Sequence, residues 1–165
     1  MAAAPERIVL GSDHAGVDLK AGIRAALEED GYRVEDLGPQ DASSVDYPEY
    51  AEAVANRVAA GSADLGILVC GTGIGMTIAA NKVPGIRAAL LYDDTAARYA
   101  RLHNDANVLV FGARTMSLPD VLGRIRLFLR ESFEGGRHAG RLAGIHRIEQ
   151  RREAPAVEGA HGCPT

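Results

Sequence analysis

Leu65-Gly66-Ile67-Leu68-Val69-Cys70-Gly71-Thr72-Gly73-Ile74-Gly75-Met76 is the stretch on which the reading of this chain turns. An apolar run of strand length stops at a cysteine. A glycine-rich turn follows and leads into Thr77-Ile78-Ala79-Ala80-Asn81-Lys82, the start of a helix. A continuously apolar strand feeding a helix through a tight turn is the unit from which buried parallel sheets are built. The turn presents backbone N–H groups suited to an anion, and the thiol stands at the strand's C-terminal tip, where a helix N-terminus favours a thiolate.

The same alternation extends in both directions. Upstream, Ile8-Val9-Leu10 reads as a strand ended by Gly11-Ser12-Asp13-His14. Val17 to Glu29 reads as a helix with Leu19, Ile23, Ala26 and Leu27 on one face, closed by Gly31. Tyr32 to Leu37 is a second strand, interrupted by Glu35 and Asp36, and a polar loop runs from Gly38 to Asp46. Pro48 suits the first turn of a helix reaching about Ala60. Downstream, Ile86 to Leu91 and Asn107 to Phe111 are strands flanking a helix from Asp94 to Leu102. Ser117, with Asp120 three positions on, caps a helix that turns Val121, Ile125, Phe128 and Leu129 inward. Gly135-Gly136 breaks the pattern before a last helix from about Arg137 to Arg151.

Five strands alternating with helices predict an α/β fold, a parallel sheet covered on both faces. No repeat, linker or second core is visible, so residues 1–152 form one domain, and 153–165, rich in Pro, Gly and Ala, are expected to be a mobile tail. In open sheets of this kind ligands bind beyond the C-terminal strand ends. Asp13 and His14 follow the first strand, Cys70 to Gly75 the third and Arg114 the fifth, so they are expected on one edge.

Composition narrows the function. The 165 residues are 47% hydrophobic with a net charge of −4, too acidic overall for a general nucleic-acid binder. No apolar run approaches the roughly 20 residues of a membrane span, and the first residues lack a signal-peptide pattern. The two cysteines, Cys70 and Cys163, lie in the turn and the tail, which argues against a structural disulfide and for a cytoplasmic location.

The glycine turn fits no simple motif. A dinucleotide fingerprint would need glycine at Met76, a P-loop would need its Lys-Ser/Thr pair, and a thiol-phosphatase loop would need arginine where Met76 stands. Paired with Cys70, the turn reads as a nest of N–H donors for an oxyanion or phosphate. None of the five histidines has metal-ligand spacing, so no metal is expected. His103, beside Asn104 in a polar break, and His14, beside Asp13, are catalytic candidates, while His161 is expected to be idle. Arg137 and Arg141, four apart with His138 between them, share one helix face, which reads either as a solvated surface or as a phosphate clamp.

Taken in order, Gly11-Ser12-Asp13-His14-Ala15-Gly16, Asp46-Tyr47-Pro48, Cys70-Gly71-Thr72-Gly73-Ile74-Gly75, Ala79-Ala80-Asn81-Lys82, His103-Asn104, Phe111-Gly112-Ala113-Arg114 and Glu134-Gly135-Gly136-Arg137-His138 resemble the ribose-5-phosphate isomerase B family, which includes galactose-6-phosphate isomerase subunits. The resemblance covers about residues 7 to 151. It implies a Rossmann-like three-layer α/β/α sandwich and a cofactor-free aldose–ketose isomerase of a phosphorylated sugar. It also implies a homodimer or tetramer whose active sites draw on two subunits. Carried over by motif, Cys70 is the base between C1 and C2, Thr72 helps position the thiol, and Gly71, Gly73 and Gly75 belong to the turn holding the enediolate oxygens. His103 resembles the ring-opening residue, with Asp13 as helper. His14, Tyr47, Asn104, Arg114, Arg137, His138 and Arg141 resemble substrate-binding positions. A subgroup of the family uses a glutamate a few residues later, where this chain has Met76, so it resembles the cysteine type.

Physical chemistry supports that assignment. Abstracting a proton beside a carbonyl needs a base in range and donors for the developing negative charge, each donor worth about 3–4 kcal/mol when lost in other enzymes. The expected reaction is ribose 5-phosphate to ribulose 5-phosphate and back. Its competitors are the same chemistry on galactose 6-phosphate or allose 6-phosphate, and a non-enzymatic phospho-sugar sensor, which would have no need of a base. A thiol-redox role lacks a resolving partner near Cys70.

Overall fold

Leu65–Cys70 forms β3, every residue of it buried, in the middle of a five-stranded parallel sheet. The computed structural model describes residues 5–153, so Cys163, His161 and most of the expected tail lie outside the described residues. The other strands are β1 (Arg7–Ser12), β2 (Arg33–Asp36), β4 (Ala88–Leu90) and β5 (Val108–Gly112), in the order β2-β1-β3-β5-β4. The helices are α1 (Val17–Glu29), α2 (Tyr47–Ala59), α3 (Ile74–Ala80), α4 (Asp94–Leu102), α5 (Leu118–Arg130) and α6 (Arg137–Glu153).

The period-2 alternation of the strands builds two cores. Ile8, Leu10, Leu65, Ile67, Val69, Leu109 and Phe111 face α1, α4 and α5, where Ile23, Leu27, Val121, Ile125 and Phe128 meet them. Val9, Leu68, Cys70, Val108 and Val110 face α2 and α3, against Ala51, Val54, Met76 and Ala80. The expected three-layer α/β/α sandwich is therefore present. Because β1 leads outward to β2 and the chain then returns to β3 on its other side, the topology reverses between β1 and β3. That is where ligands bind in such sheets.

Two strands are shorter than expected. Tyr32 is drawn to the end of α1 by its N–H bond to Leu27 O (3.0 Å), so β2 starts at Arg33. Ile86 closes a turn onto Val83 O (3.2 Å), so β4 has only Ala88–Leu90. Asp36 does not interrupt β2 as a misplaced charge. It is the buried partner of Lys20, whose Nζ also donates to Pro39 O at 2.9 Å. The same Asp36 oxygen accepts from Gly38 N–H at 2.8 Å. The pair ties α1 and β2 to the start of the loop entering α2.

The outer side of edge strand β4 is closed by a side chain. Asn81 Oδ1 accepts from Ala88 N–H and its Nδ2 donates to Ala88 O, both at 2.9 Å, mimicking a neighbouring strand. Its Nδ2 also reaches Thr77 O, which fixes the end of α3. Asn81→Ala should cost about 1–2 kcal/mol, because the freed backbone groups are exposed and regain water. A lower urea midpoint with an unchanged slope is the expected readout, and an unchanged midpoint would refute this role.

Candidate active site

Cys70 ends β3 with its side chain on the α2–α3 side and is 5% exposed. Its Sγ accepts a hydrogen bond from Gly73 N–H at 3.1 Å, so the turn folds back over the sulfur. Gly73 has φ +82°, and a Cβ there would come within 2.4 Å of Leu90 Cδ1, which leaves glycine as the only residue that fits.

Neighbouring strand ends close around this turn. Ala113 and Arg114 donate their backbone N–H groups to Cys70 O (2.8 Å) and Gly71 O (2.9 Å), continuing the β3–β5 pairing past both strands. The Arg114 side chain lies on Gly71, where a Cβ would be 3.3 Å from its guanidinium carbon. The Tyr47 ring, at the start of α2, covers Gly75 so closely that a Cβ there would fall 2.8 Å from Cζ. Asp13 N–H donates to Val69 O (3.0 Å), and its Oδ1 accepts from Ala15 and Gly16 N–H (2.9 and 3.2 Å), capping a 3-10 turn at His14–Gly16. That capping bond fixes the carboxylate's direction. His14 Nδ1 is buried without a hydrogen-bond partner among the described residues. Thr72 is exposed, and its Oγ1 accepts from Ile74 N–H at 3.4 Å. Asp13, His14, Cys70–Gly75 and Arg114 thus share one edge, as expected from the strand ends, and Tyr47 joins them.

The remaining candidates stand at the other end. α4 closes at Leu102, and His103-Asn104 precede β5, whose first residue pairs with Gly66 near the start of β3. Arg87 Nε holds this corner through Asn104 O (3.0 Å) and Asp105 O (2.9 Å). Glu134 N–H binds Leu102 O (3.0 Å), which brings the start of α6 to the same place. The His103 and His138 rings stack with centroids 4.0 Å apart and planes within 10°, and Tyr99 packs on His103 at 4.3 Å. Arg137 Nε donates to His138 Nε2 (3.2 Å), and Arg141 Nη1 is 3.5 Å from its Nδ1. Burial first, and then the nearby positive groups of His103, Arg137 and Arg141, hold the His138 imidazole below its usual range, opposed by Glu134.

His103, Glu134 and His138 have their ligand-type atoms within 4.8 Å of one another. The geometry does not favour a cation there. Parallel stacked rings aim their lone pairs side by side rather than at a common point, and two guanidiniums press on His138. With two arginines and a neutral imidazole, the group is better matched to an anion. Glu134 is the member that motif reading left out. Its spacing of four from His138, across two glycines, was the available signal.

A cavity of about 700 Å³ contains none of the candidate residues. It lies at the N-terminal strand edge, and its arginines are engaged by carboxylates: Arg7 with Asp64, and Arg87 and Arg101 with Asp105. The carboxylates neutralise the cations that a phosphorylated ligand would need.

Comparison with known proteins finds similar chains and structures. A family model described as Ribose/Galactose Isomerase matches residues 8–145. The chain is 46% identical over 147 residues to a protein of Escherichia coli K12 named ribose-5-phosphate isomerase B, covering 89% of this chain and 99% of that one. A solved ribose-5-phosphate isomerase B from Clostridium thermocellum superposes with a TM-score of 0.87 at 46% identity, covering 88% of this chain and 99% of that one. One from Mycoplasma genitalium, solved with bound ribulose-5-phosphate, gives 0.84 at 42%, covering 87% and 96%.

Proposed function

The chain belongs to the Ribose/Galactose Isomerase family, and from that premise we propose that it interconverts ribose 5-phosphate and ribulose 5-phosphate with Cys70 as the base. The observation that carries the role of Cys70 is its sulfur at the tip of β3, held by the Gly73 N–H inside a turn enclosed by Tyr47 and Arg114. In the open-chain aldose, the thiolate takes the proton from C2, leaving an enediolate, and the thiol returns a proton to C1. The proton on O2 passes to O1, so no redox partner, cofactor or metal ion is needed. Backbone N–H groups of Gly71–Gly75 stabilise the enediolate oxygens, and Thr72 lines the same turn. His103 opens the furanose ring with Asp13 assisting. Arg137, Arg141 and His138 hold the phosphate, and His14, Tyr47, Asn104 and Arg114 complete the contacts to the sugar phosphate.

These groups cannot meet within one chain. Between the Gly66 end of the sheet, where the segment after His103 enters β5, and Cys70 run roughly 13 Å of strand at 3.3 Å per residue. We therefore infer a homodimer, or a tetramer of such dimers, in which one subunit's cysteine edge faces the other's histidine–arginine corner. Exposed isoleucines flank both halves: Ile74 and Ile78 on α3 beside the turn, and Ile145 and Ile148 on α6. Apolar residues so placed suit a contact between copies. No described helix is long and apolar enough to cross a membrane.

Substrate preference is tested by comparing ribose 5-phosphate with allose 6-phosphate and galactose 6-phosphate. We expect kcat/KM for the five-carbon sugar to be higher by about tenfold or more, the scale of one misfitted carbon unit. The reverse ranking would reassign the enzyme to a six-carbon substrate. Binding of all three without turnover would make it a sensor.

A further inference from the structure

We propose that Glu134 is a positioning residue for this reaction, its carboxylate fixing the tautomer of His103 and stabilising the positive charge that ring carries during sugar-ring opening. The inference rests on the ring-opening role of His103 and goes one residue beyond it.

The backbone is built to deliver this carboxylate. Glu134 N–H is anchored on Leu102 O at 3.0 Å, one residue before His103. Gly135 and Gly136 both take positive φ, +65° and +51°, a pair of left-handed steps that side chains resist. The chain reverses there, His138 N–H binds Gly135 O (2.9 Å), and α6 starts with His138 turned back under Glu134. Glu134 Oε2 ends 3.7 Å from His103 Nε2 and 3.5 Å from His138 Nε2.

The charges around it make it the balancing group. From α4 and its end, Tyr99 and His103 face the cluster; from α6, Arg137, His138 and Arg141 do. Glu134 is the one carboxylate within 4 Å of either imidazole among the described residues. Its carboxylate is half-exposed and reaches both rings. A carboxylate at Nε2 keeps a proton on that nitrogen and leaves Nδ1 free to exchange one, the arrangement by which an acid orients a catalytic histidine. Nδ1 takes the proton from the anomeric hydroxyl as the bond from C1 to the ring oxygen breaks, and returns it to that oxygen. Between these transfers the ring is an imidazolium next to His138 and two guanidiniums, and Glu134 offsets that repulsion. Contacts of 3.5–3.7 Å in the free site are of the kind that tighten when substrate is bound.

The experiment compares Glu134→Gln, Glu134→Asp and His103→Ala in the full chain. It measures kcat and KM for ribose 5-phosphate across pH, and the ¹⁵N signals of the His103 ring. Glu134→Gln keeps the backbone anchor, so it should fold as the parent does. We expect it to lower kcat by about tenfold or more with KM near the parent's. The His103 ring ¹⁵N signals should change, since the carboxylate facing Nε2 is lost. Glu134→Asp should recover part of the loss, and it carries the ¹⁵N test by itself if the glutamine variant does not fold. Parental kcat with unmoved ¹⁵N signals would overturn the proposal, as would a lower kcat without any change in those signals. A fully active His103→Ala would instead remove the ring-opening reading on which the proposal stands. An impaired His103→Ala beside a parental Glu134→Gln would remove the role of Glu134 alone.

Discussion

Replacing Cys70 with alanine should lower kcat for ribose 5-phosphate by on the order of a thousandfold while leaving KM near the parent's. The split follows from position. The thiol stands at the tip of β3 under the Gly73 N–H, whereas the cations that suit a phosphate lie elsewhere, so removing sulfur removes chemistry and not anchorage. The structural cost is small: one buried atom is lost, about 1 kcal/mol. Cys70→Ser separates size from basicity. It restores the volume with a hydroxyl that does not ionise in this range, and should be as inactive as the alanine variant. In heavy water the parent should incorporate solvent deuterium at the carbon receiving the proton, and both variants should lose that exchange together with turnover. Parental activity in Cys70→Ala, or activity restored by serine, would rule the thiol out as the base. A redox role predicts a different result, sensitivity of the parent to mild oxidants through a partner thiol. Cys70 is the free cysteine among the described residues, and it is buried.

Much of this site could be read from residue order because a parallel sheet converts order into place. Each strand end reached the same edge, so Asp13, Cys70 and Arg114 could be grouped without knowing how the strands were arranged. The strand order itself could not be read, since hydrophobic runs of similar length fit β4 at the edge or inside equally well. Lys20 escaped periodicity for a related reason. It sits one residue from Leu19 on a helix whose apolar stripe was legible, but its burial is set by Asp36, sixteen residues on in another element. Glu134 escaped because its function comes from a doubly left-handed turn and the stacked pair of rings its carboxylate reaches, neither of which a helical repeat encodes.

Residue order left open whether His103 and Cys70 of one chain lie close together. They stand at opposite ends of the central strands, and this separation yields the second large effect. Mixing Cys70→Ala chains with His103→Ala chains, each nearly inactive alone, should restore about a quarter of the parent's activity once subunits exchange. Random pairing makes half of the dimers mixed. In each mixed dimer one site joins an intact cysteine from one chain to an intact histidine from the other, while the second site collects both lesions. A site built within one chain gives a different result, because every site then keeps its own lesion and mixing restores nothing. The apolar exposure on α3 and α6 supplies the contact, and the sheet supplies the distance that one chain cannot close. Native mass spectrometry of the mixture establishes that mixed dimers have formed. Mixed dimers with no recovered activity would refute the shared site and require His103 to act elsewhere in the reaction. Recovery near a quarter would assign the cysteine and the histidine of each working site to different subunits.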